Sequence, residues 1–311
     1  MQQMTLAVIG TGAWGTTLAA LAAEQGHQVR VWSRRSSHSL ESTLEQADVI
    51  LSAVSMKGVK AIAAEVESML IPSHSILVTA TKGLDPTGTS HKGLPLLPSQ
   101  IWQTALPHHP VVILSGPNLS KEIDQGLPAA TVVASSSAIA AKQVQAVFSS
   151  NRFRVYTNPD PLGVELGGTL KNIMAIAVGT CDGLNLGENA KAALMTRGLA
   201  EIIRIGTYWG AQIDTFYGLS GLGDLLATCN SPLSRNYQVG YGLAQGKGLS
   251  DVLASLQGTA EGVNTTQVLM QIAHRQEITV PISYQVSRLL AGDITPQAAV
   301  AALMLRDIKP E

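Results

Sequence analysis

Two lysines and one cluster of hydrogen-bond donors mark where this chain can do chemistry. Lys171 stands beside Asn172 inside a long apolar segment, Leu162 to Val178. An ammonium in such a segment either reaches solvent along its alkyl stem or is buried, and burial lowers its pKa. Asn172 offers an amide that can orient a substrate oxygen, and the preceding Gly167 and Gly168 leave space beside the lysine for a ligand. Lys82 follows the apolar run Ser75 to Ala80, at what reads as the C-terminal edge of a strand. Ligands collect outside such edges in open α/β sheets, although a solvated lysine after a strand is equally ordinary. Ser234-Arg235-Asn236 sits at an apparent helix start, where side-chain and backbone donors converge on an anion. Taken together, these donors suit a small phosphorylated polyol. Gly218 to Leu225 is also glycine-rich but has no P-loop lysine after it, and reads as a close helix junction.

The elements that position these groups begin with Leu6-Ala7-Val8-Ile9-Gly10-Thr11-Gly12-Ala13-Trp14-Gly15-Thr16, an apolar run that breaks into glycines and resumes as an Ala/Leu-rich helical pattern. Gly10 permits a tight turn, Gly12 lets backbone N–H groups approach a pyrophosphate, and Gly15 lets the helix pack close to the strand. Gln28 to Trp32 reads as the second strand of a βαβ unit. Its end faces an adenosine ribose in a dinucleotide fold, and an acidic residue there would bind the 2′-hydroxyl of NAD. This chain has Ser33-Arg34-Arg35-Ser36 instead, with no carboxylate before Glu41. A guanidinium suits a 2′-phosphate, so the turn favours NADP, with Arg34 nearer the strand end than Arg35; a solvated basic turn is the alternative.

Further buried strands are expected at Asp48 to Val54, Ser75 to Ala80, Val111 to Leu114, Ala130 to Ala134 and Arg154 to Tyr156, separated by helical patterns at Lys57 to Leu70 and Ala138 to Phe148. Gly116 and Asn118 follow the third of these strands and could share the rim that carries Lys82. Alternation of this kind gives a doubly wound, mostly parallel sheet, a Rossmann-like α/β domain over residues 1–157. Thr157-Asn158-Pro159-Asp160-Pro161 breaks the strand pattern, and residues 158–311 read as an all-α second domain whose last helix opens at Pro296.

The chain's 311 residues are 45% hydrophobic and 14% charged, with a net charge of −1. No basic block favours nucleic acid or an anionic membrane surface, and no apolar run reaches membrane-spanning length. Cys181 and Cys229 lack metal-ligand spacing, and the histidines have no catalytic or metal partner, so no metal is expected. The cysteines read as buried free thiols of a reducing compartment, and the N-terminus lacks a signal-peptide pattern, so the expected location is cytoplasmic.

The ordered motifs resemble those of the NAD(P)-dependent glycerol-3-phosphate dehydrogenases, bacterial type, nearly end to end. The resemblance rests on Gly-x-Gly-x-Trp-Gly-Thr, Ala80-Thr81-Lys82-Gly83-Leu84, Ser115-Gly116-Pro117, Gly163-Val164-Glu165-Leu166-Gly167-Gly168, Leu170-Lys171-Asn172, Gly221-Leu222-Gly223-Asp224-Leu225, Ser231-Pro232-Leu233-Ser234-Arg235-Asn236 and Glu261-Gly262. It implies NAD(P)-dependent interconversion of dihydroxyacetone phosphate and sn-glycerol 3-phosphate, the precursor of glycerophospholipids; with the basic turn after the second strand, NADP is expected to be preferred and NAD also used. It further implies Lys171 as proton donor and acceptor, and Lys82 as a contact to both ligands. Gly116, Asn118, Asp224, Ser234, Arg235 and Asn236 would form the substrate site. Gly10, Gly12, Ala13, Trp14, Gly15, Arg34, Ser120, Arg235, Thr259 and Glu261 would contact the cofactor. A homodimer stays open. The chain departs from the family in a shorter segment after Arg35, and in Asn118-Leu119-Ser120 where Thr-Phe-Ala is common. Two rival readings are a β-hydroxyacid dehydrogenase, against which the Ser-Arg-Asn triplet argues, and a non-enzymatic nucleotide sensor.

Overall fold

A computed structural model describes residues 2–90 and 93–305. The first half alternates β1 (Thr5–Ile9), α1 (Ala13–Glu24), β2 (Gln28–Trp32), α2 (Leu40–Leu44), β3 (Val49–Ser52), α3 (Met56–Glu67) and β4 (Ile76–Thr79). It continues through α4 (Pro98–Ala105), β5 (Val111–Ser115), α5 (Ser120–Asp124), β6 (Ala129–Ala134), α6 (Ala138–Phe148) and β7 (Phe153–Asn158). The strands form one sheet in the order β2-β1-β3-β4-β5-β6-β7, parallel throughout except for the β5–β6 pair. Helices cover both faces, so every residue of β3, β4 and β5 is buried, which is why these strands read as unbroken apolar runs. The chain leaves β1 toward β2 on one side and resumes at β3 on the other. That reversal opens a crevice at the carboxyl ends of β1 and β3. The periodicity of the sequence does not mark α2 or α4; five and eight residues hold too few turns to show a helical repeat.

The second half is helical: α7 (Pro161–Gly183), α8 (Gly187–Trp209), a 3-10 turn (Ile213–Tyr217), a π-turn (Leu219–Gly223), α9 (Asp224–Cys229), α10 (Arg235–Ala244), α11 (Leu249–Ser255), α12 (Glu261–Arg275), α13 (Pro281–Ala291) and α14 (Pro296–Met304). Helix α7 is the axis of this half. Its start is fixed by Asp160, whose carboxylate accepts from Gly163 N (3.0 Å), Gln212 N (2.9 Å) and Thr215 Oγ1 (2.8 Å). It meets α10 at glycines: a Cβ on Gly179 would stand 2.1 Å from the Tyr237 carbonyl, and one on Gly240 would stand 1.8 Å from that of Ile176. The two backbones therefore touch, and Lys171 is carried on a helix wedged among its neighbours.

The link between β4 and α4 is not a surface loop. Leu84 and Leu97, near its ends, are buried in the core of the helical half together with Leu166, Leu170 and Ile173. Where that link enters α4, Ser99 donates its N–H (2.9 Å) and its hydroxyl to the carboxylate of Glu165 on α7. Burial raises the Glu165 pKa to about 7, with the two Ser99 bonds opposing it.

This carboxyl links stability to pH. Its proton is held more tightly in the folded chain than in the unfolded one, where the pKa is near 4.5. Its contribution is therefore fully present below that value and is lost as pH rises toward 7. The loss is on the order of 3 kcal/mol, from ~1.4 kcal/mol per pH unit. Glu165→Gln is expected to remove this slope, so that the difference in Tm between variant and wild type grows in favour of the variant from pH 5 to pH 8. Thermal melts across that range check it, and a pH-independent difference would contradict it.

Candidate active site

A cleft of about 820 Å³ opens at the carboxyl ends of the sheet and is walled on its far side by α7, α10 and the start of α12. On the sheet side lies the β1–α1 turn. Gly10 has φ +114°, and a Cβ there would meet the Ala53 carbonyl at 2.8 Å; a Cβ on Gly15 would stand 2.2 Å from the Gly10 carbonyl. These two glycines bring strand, turn and helix together but do not line the cleft. Gly12 does line it and has nothing within 4 Å of its Cβ position. As the N-cap of α1, Gly12 provides no side-chain cap, so the first amides of α1 are free for an anion. Ala13, Trp14 and Ser120 also line this side, as do Ala53 and Val54 after β3. A dinucleotide's pyrophosphate fits this uncapped turn, with space along β3 and β4 for the rest of the cofactor.

Opposite the turn, two lysines from different halves converge on one acid. Asp224, the first residue of α9, is 1% exposed. Its Oδ2 accepts from Lys82 Nζ (2.6 Å) and its Oδ1 from Lys171 Nζ (2.5 Å). Lys171 also donates to Thr228 Oγ1, and Thr228 in turn donates to Asp224 Oδ1 at 3.2 Å. An ammonium has three N–H donors, so Lys171 keeps one for the cleft that it lines. Burial pushes its pKa down to about 8; Asp224 opposes that shift and Lys82 adds to it. Desolvation thus outweighs the ion pair, and the amine can gain or lose its proton near neutral pH. Lys171 is buried, not extended to the surface.

The Ser234-Arg235-Asn236 triplet lies at the start of α10, as the sequence pattern expects. Ser234 is the N-cap of α10, its hydroxyl accepting from Tyr237 N (3.3 Å), and Arg235 is exposed in the cleft above Gly258. Asn236 uses its carbonyl oxygen on Gly262 N (2.9 Å), tying α10 to α12 and leaving its amide N–H groups for a ligand. Thr259 and Glu261 border the same cleft. Glu261 accepts from Met56 N at 3.4 Å, and its pKa is raised by burial, with Arg235 and Lys57 opposing. Asn118 also lines the cleft, with its amide donating to Thr131 Oγ1 (3.0 Å).

Several expectations change in the folded chain. Gly167 and Gly168 do not make room for a ligand: a Cβ on Gly167 would meet the Ser220 carbonyl at 2.7 Å. One on Gly168 would lie 2.2 Å from Ser115 Oγ and 3.2 Å from Lys82 Cε, so protein atoms fill that space. Asp224 lies beneath the cleft lining, with both carboxylate oxygens engaged by the two lysines. Gly116 is buried against Thr131, holding the turn that carries Asn118. Arg34 and Arg35 are exposed on a turn closed by Ser33 N to Ser36 Oγ (2.9 Å), outside the cleft lining. Thr228 belongs to no motif in the sequence; its spacing of four residues from Asp224 on one helix is the only local sign of its role beside Lys171. Among the described residues no group of three His, Cys, Asp or Glu side chains could hold a metal.

Known proteins are similar to this chain along nearly its whole length. The sequence model for the N-terminus of the NAD-dependent glycerol-3-phosphate dehydrogenases matches residues 5–40 and 35–141, and that for the C-terminus matches residues 160–301. The two N-terminal stretches overlap over residues 35–40, at the end of the basic turn. A glycerol-3-phosphate dehydrogenase [NAD(P)+] of a Nostoc species is 65% identical, covering 100% of this chain and 99% of the relative. One from Synechocystis is 62% identical over 98% of this chain and 94% of the relative. The crystal structure of a glycerol-3-phosphate dehydrogenase from Coxiella burnetii superposes with a TM-score of 0.90 at 34% identity, covering 98% of this chain and 99% of that one. With both halves matched and relatives this similar along its full length, the chain belongs to the NAD-dependent glycerol-3-phosphate dehydrogenase family.

Proposed function

We propose that this chain interconverts dihydroxyacetone phosphate and sn-glycerol 3-phosphate, using NADPH in preference to NADH, and so supplies glycerol 3-phosphate for glycerophospholipid synthesis in the cytoplasm. The observation that carries the reading is the buried Lys82–Asp224–Lys171 cluster facing a cleft that also holds the uncapped α1 turn and Arg235. Residues 1–157 hold the cofactor in this reading, and residues 158–311 supply the proton relay and the phosphate grip. Ser234, Arg235 and Asn236 bind the substrate phosphate by charge-assisted bonds at the start of α10. Lys82 and the amides of Asn118 and Asn172 orient its oxygens.

When bound, the reduced nicotinamide supplies the hydride to the carbonyl carbon. Lys171 gives its remaining N–H proton to the carbonyl oxygen as the C–H bond forms, and the new alcohol carries both. In the reverse direction the neutral amine takes the hydroxyl proton. Asp224 holds the two ammonium groups together and stabilises the charged form of Lys171, while burial and Lys82 keep the neutral form within reach. Thr228 fixes the direction of the lysine's third donor.

The test begins with Lys171→Ala, which is expected to abolish turnover of dihydroxyacetone phosphate by NADPH while leaving cofactor affinity within about twofold; near-normal kcat would refute the role. In the wild type, oxidation of glycerol 3-phosphate should rise as pH passes about 8 and reduction should fall, because the amine loses its proton there. Asp224→Asn removes the charge that favours the ammonium, so its oxidation profile should move to lower pH, a shift read directly in kcat against pH.

Two substitutions separate the ligands. Arg235→Ala is expected to raise KM for dihydroxyacetone phosphate far more than for an analogue lacking phosphate; equal losses would exclude a phosphate contact. Arg34→Ala is expected to raise KM for NADPH with little change for NADH. A hydrogen bond to a charged group is worth ~1.5 to 3 kcal/mol, roughly tenfold to a hundredfold, reduced by solvent screening at this exposed turn. Equal use of both cofactors by the wild type would overturn the preference.

A further inference from the structure

Lys82 and Lys171 must keep their spacing although they come from different halves of the chain, and α7 carries a device for this. Glu165 and Thr169 lie four residues apart on α7, on one face and about 6 Å apart along the axis. Each accepts a hydrogen bond from the link between β4 and α4. Thr169 Oγ1 accepts from Gly83 N (3.1 Å), at the residue after Lys82, and Glu165 accepts from Ser99 N (2.9 Å) and the Ser99 hydroxyl, at the far end of the link. The link folds back on itself through Asp85 N to the Leu96 carbonyl (2.9 Å), which brings its two ends near enough to meet one helical turn. Gly168 lies between the two acceptors in sequence, and the stem of Lys82 passes over it. Beyond each attachment point a leucine, Leu84 or Leu97, enters the helical core, and Asn264 of α12 donates to the Leu84 carbonyl (3.1 Å).

We infer that Glu165 and Thr169 are positioning residues: an acceptor pair one helical turn apart that fastens both ends of the Lys82-bearing link to the helix bearing Lys171, so that Lys82 is held in register with the helical half although its strand belongs to the sheet. Apolar packing alone would let α7 slide or turn slightly against the link, because such contacts are non-directional. Directed bonds to two particular amides specify one register. Small errors in placement matter where two ammonium groups share one carboxylate and face a reacting oxygen. The acceptors do not touch the cleft, and the inference rests on the proposed roles of Lys82 and Lys171.

The test uses the full-length protein, with wild-type turnover of dihydroxyacetone phosphate established first; absence of that turnover would defeat the functional reading, and the register would then be judged by exchange alone. Thr169→Val keeps the shape and removes the acceptor, Thr169→Ser keeps the acceptor, and Ser99→Ala weakens the other attachment from the opposite side. At a temperature where circular dichroism shows all variants folded, Thr169→Val and Ser99→Ala are expected to speed amide hydrogen exchange in the peptides at the ends of the link. They should also lower kcat by roughly tenfold, leave the NADPH Kd within twofold and move the pH midpoint of oxidation, since the Lys82–Lys171 distance contributes to it. Thr169→Ser should restore all of these. Unchanged exchange at the ends of the link would overturn the inference, as would a lower Tm with kcat and pH midpoint equal to wild type. If Thr169→Val does not fold, Ser99→Ala with the same readouts decides.

Discussion

The structure depends on one buried carboxylate. Asp224 is 1% exposed, at a depth where an unpaired charge is costly, and it has a lysine on each oxygen and Thr228 alongside. Removing either lysine leaves a less compensated charge, so the three groups act as a unit. The cluster carries two ammonium groups against one carboxylate. That excess faces the cleft, while burial, with Lys82 adding to it, brings the Lys171 proton into a range where it can be exchanged.

Assembling that unit sets demands on the rest of the chain. Lys82 arrives from a strand end, Lys171 from the middle of a buried helix, and Asp224 from a helix that follows a π-turn. The glycines of α7 answer most of these demands by letting other elements come close. Gly167 admits the Ser220 backbone just ahead of Asp224, Gly168 admits Ser115 and the stem of Lys82, and Gly179 admits α10, whose first turn carries Arg235. Close backbone contact leaves little freedom for relative movement, which suits a site divided between two folding halves.

The cofactor side follows a different logic. The β1–α1 turn offers backbone amides and open space, so its side chains matter less than its shape. In the proposed reading, discrimination between the two dinucleotides falls to an exposed turn beyond β2, where Arg34 and Arg35 stand without an acidic neighbour in sequence before Glu41. The groups proposed to carry the chemistry are buried and preorganised; those proposed to select the cofactor are on the surface and open to screening by salt.

By itself the sequence determined the alternation of strand and helix, the glycine turn, the break before Pro161 and the helix start at Ser234-Arg235-Asn236. All of these are local: apolar periodicity, a turn that needs glycine, or a cap that needs a hydroxyl is decided within a few residues. It also singled out Lys171 as a charge in an apolar helix. Only the tertiary structure decided what that charge meets. Asp224, Lys82 and Thr228 are far from Lys171 along the chain, and their convergence arises from how α7, α9 and the end of β4 pack. The same is true of Gly167 and Gly168, which read in sequence as space for a ligand and are filled in the fold by Ser220, Ser115 and Lys82. A glycine shows that something comes close, and only the packing shows what. Glu165 gave no local sign of its partner either, because Ser99 lies on a short helix without visible periodicity and meets α7 only once the sheet and the helical half have come together.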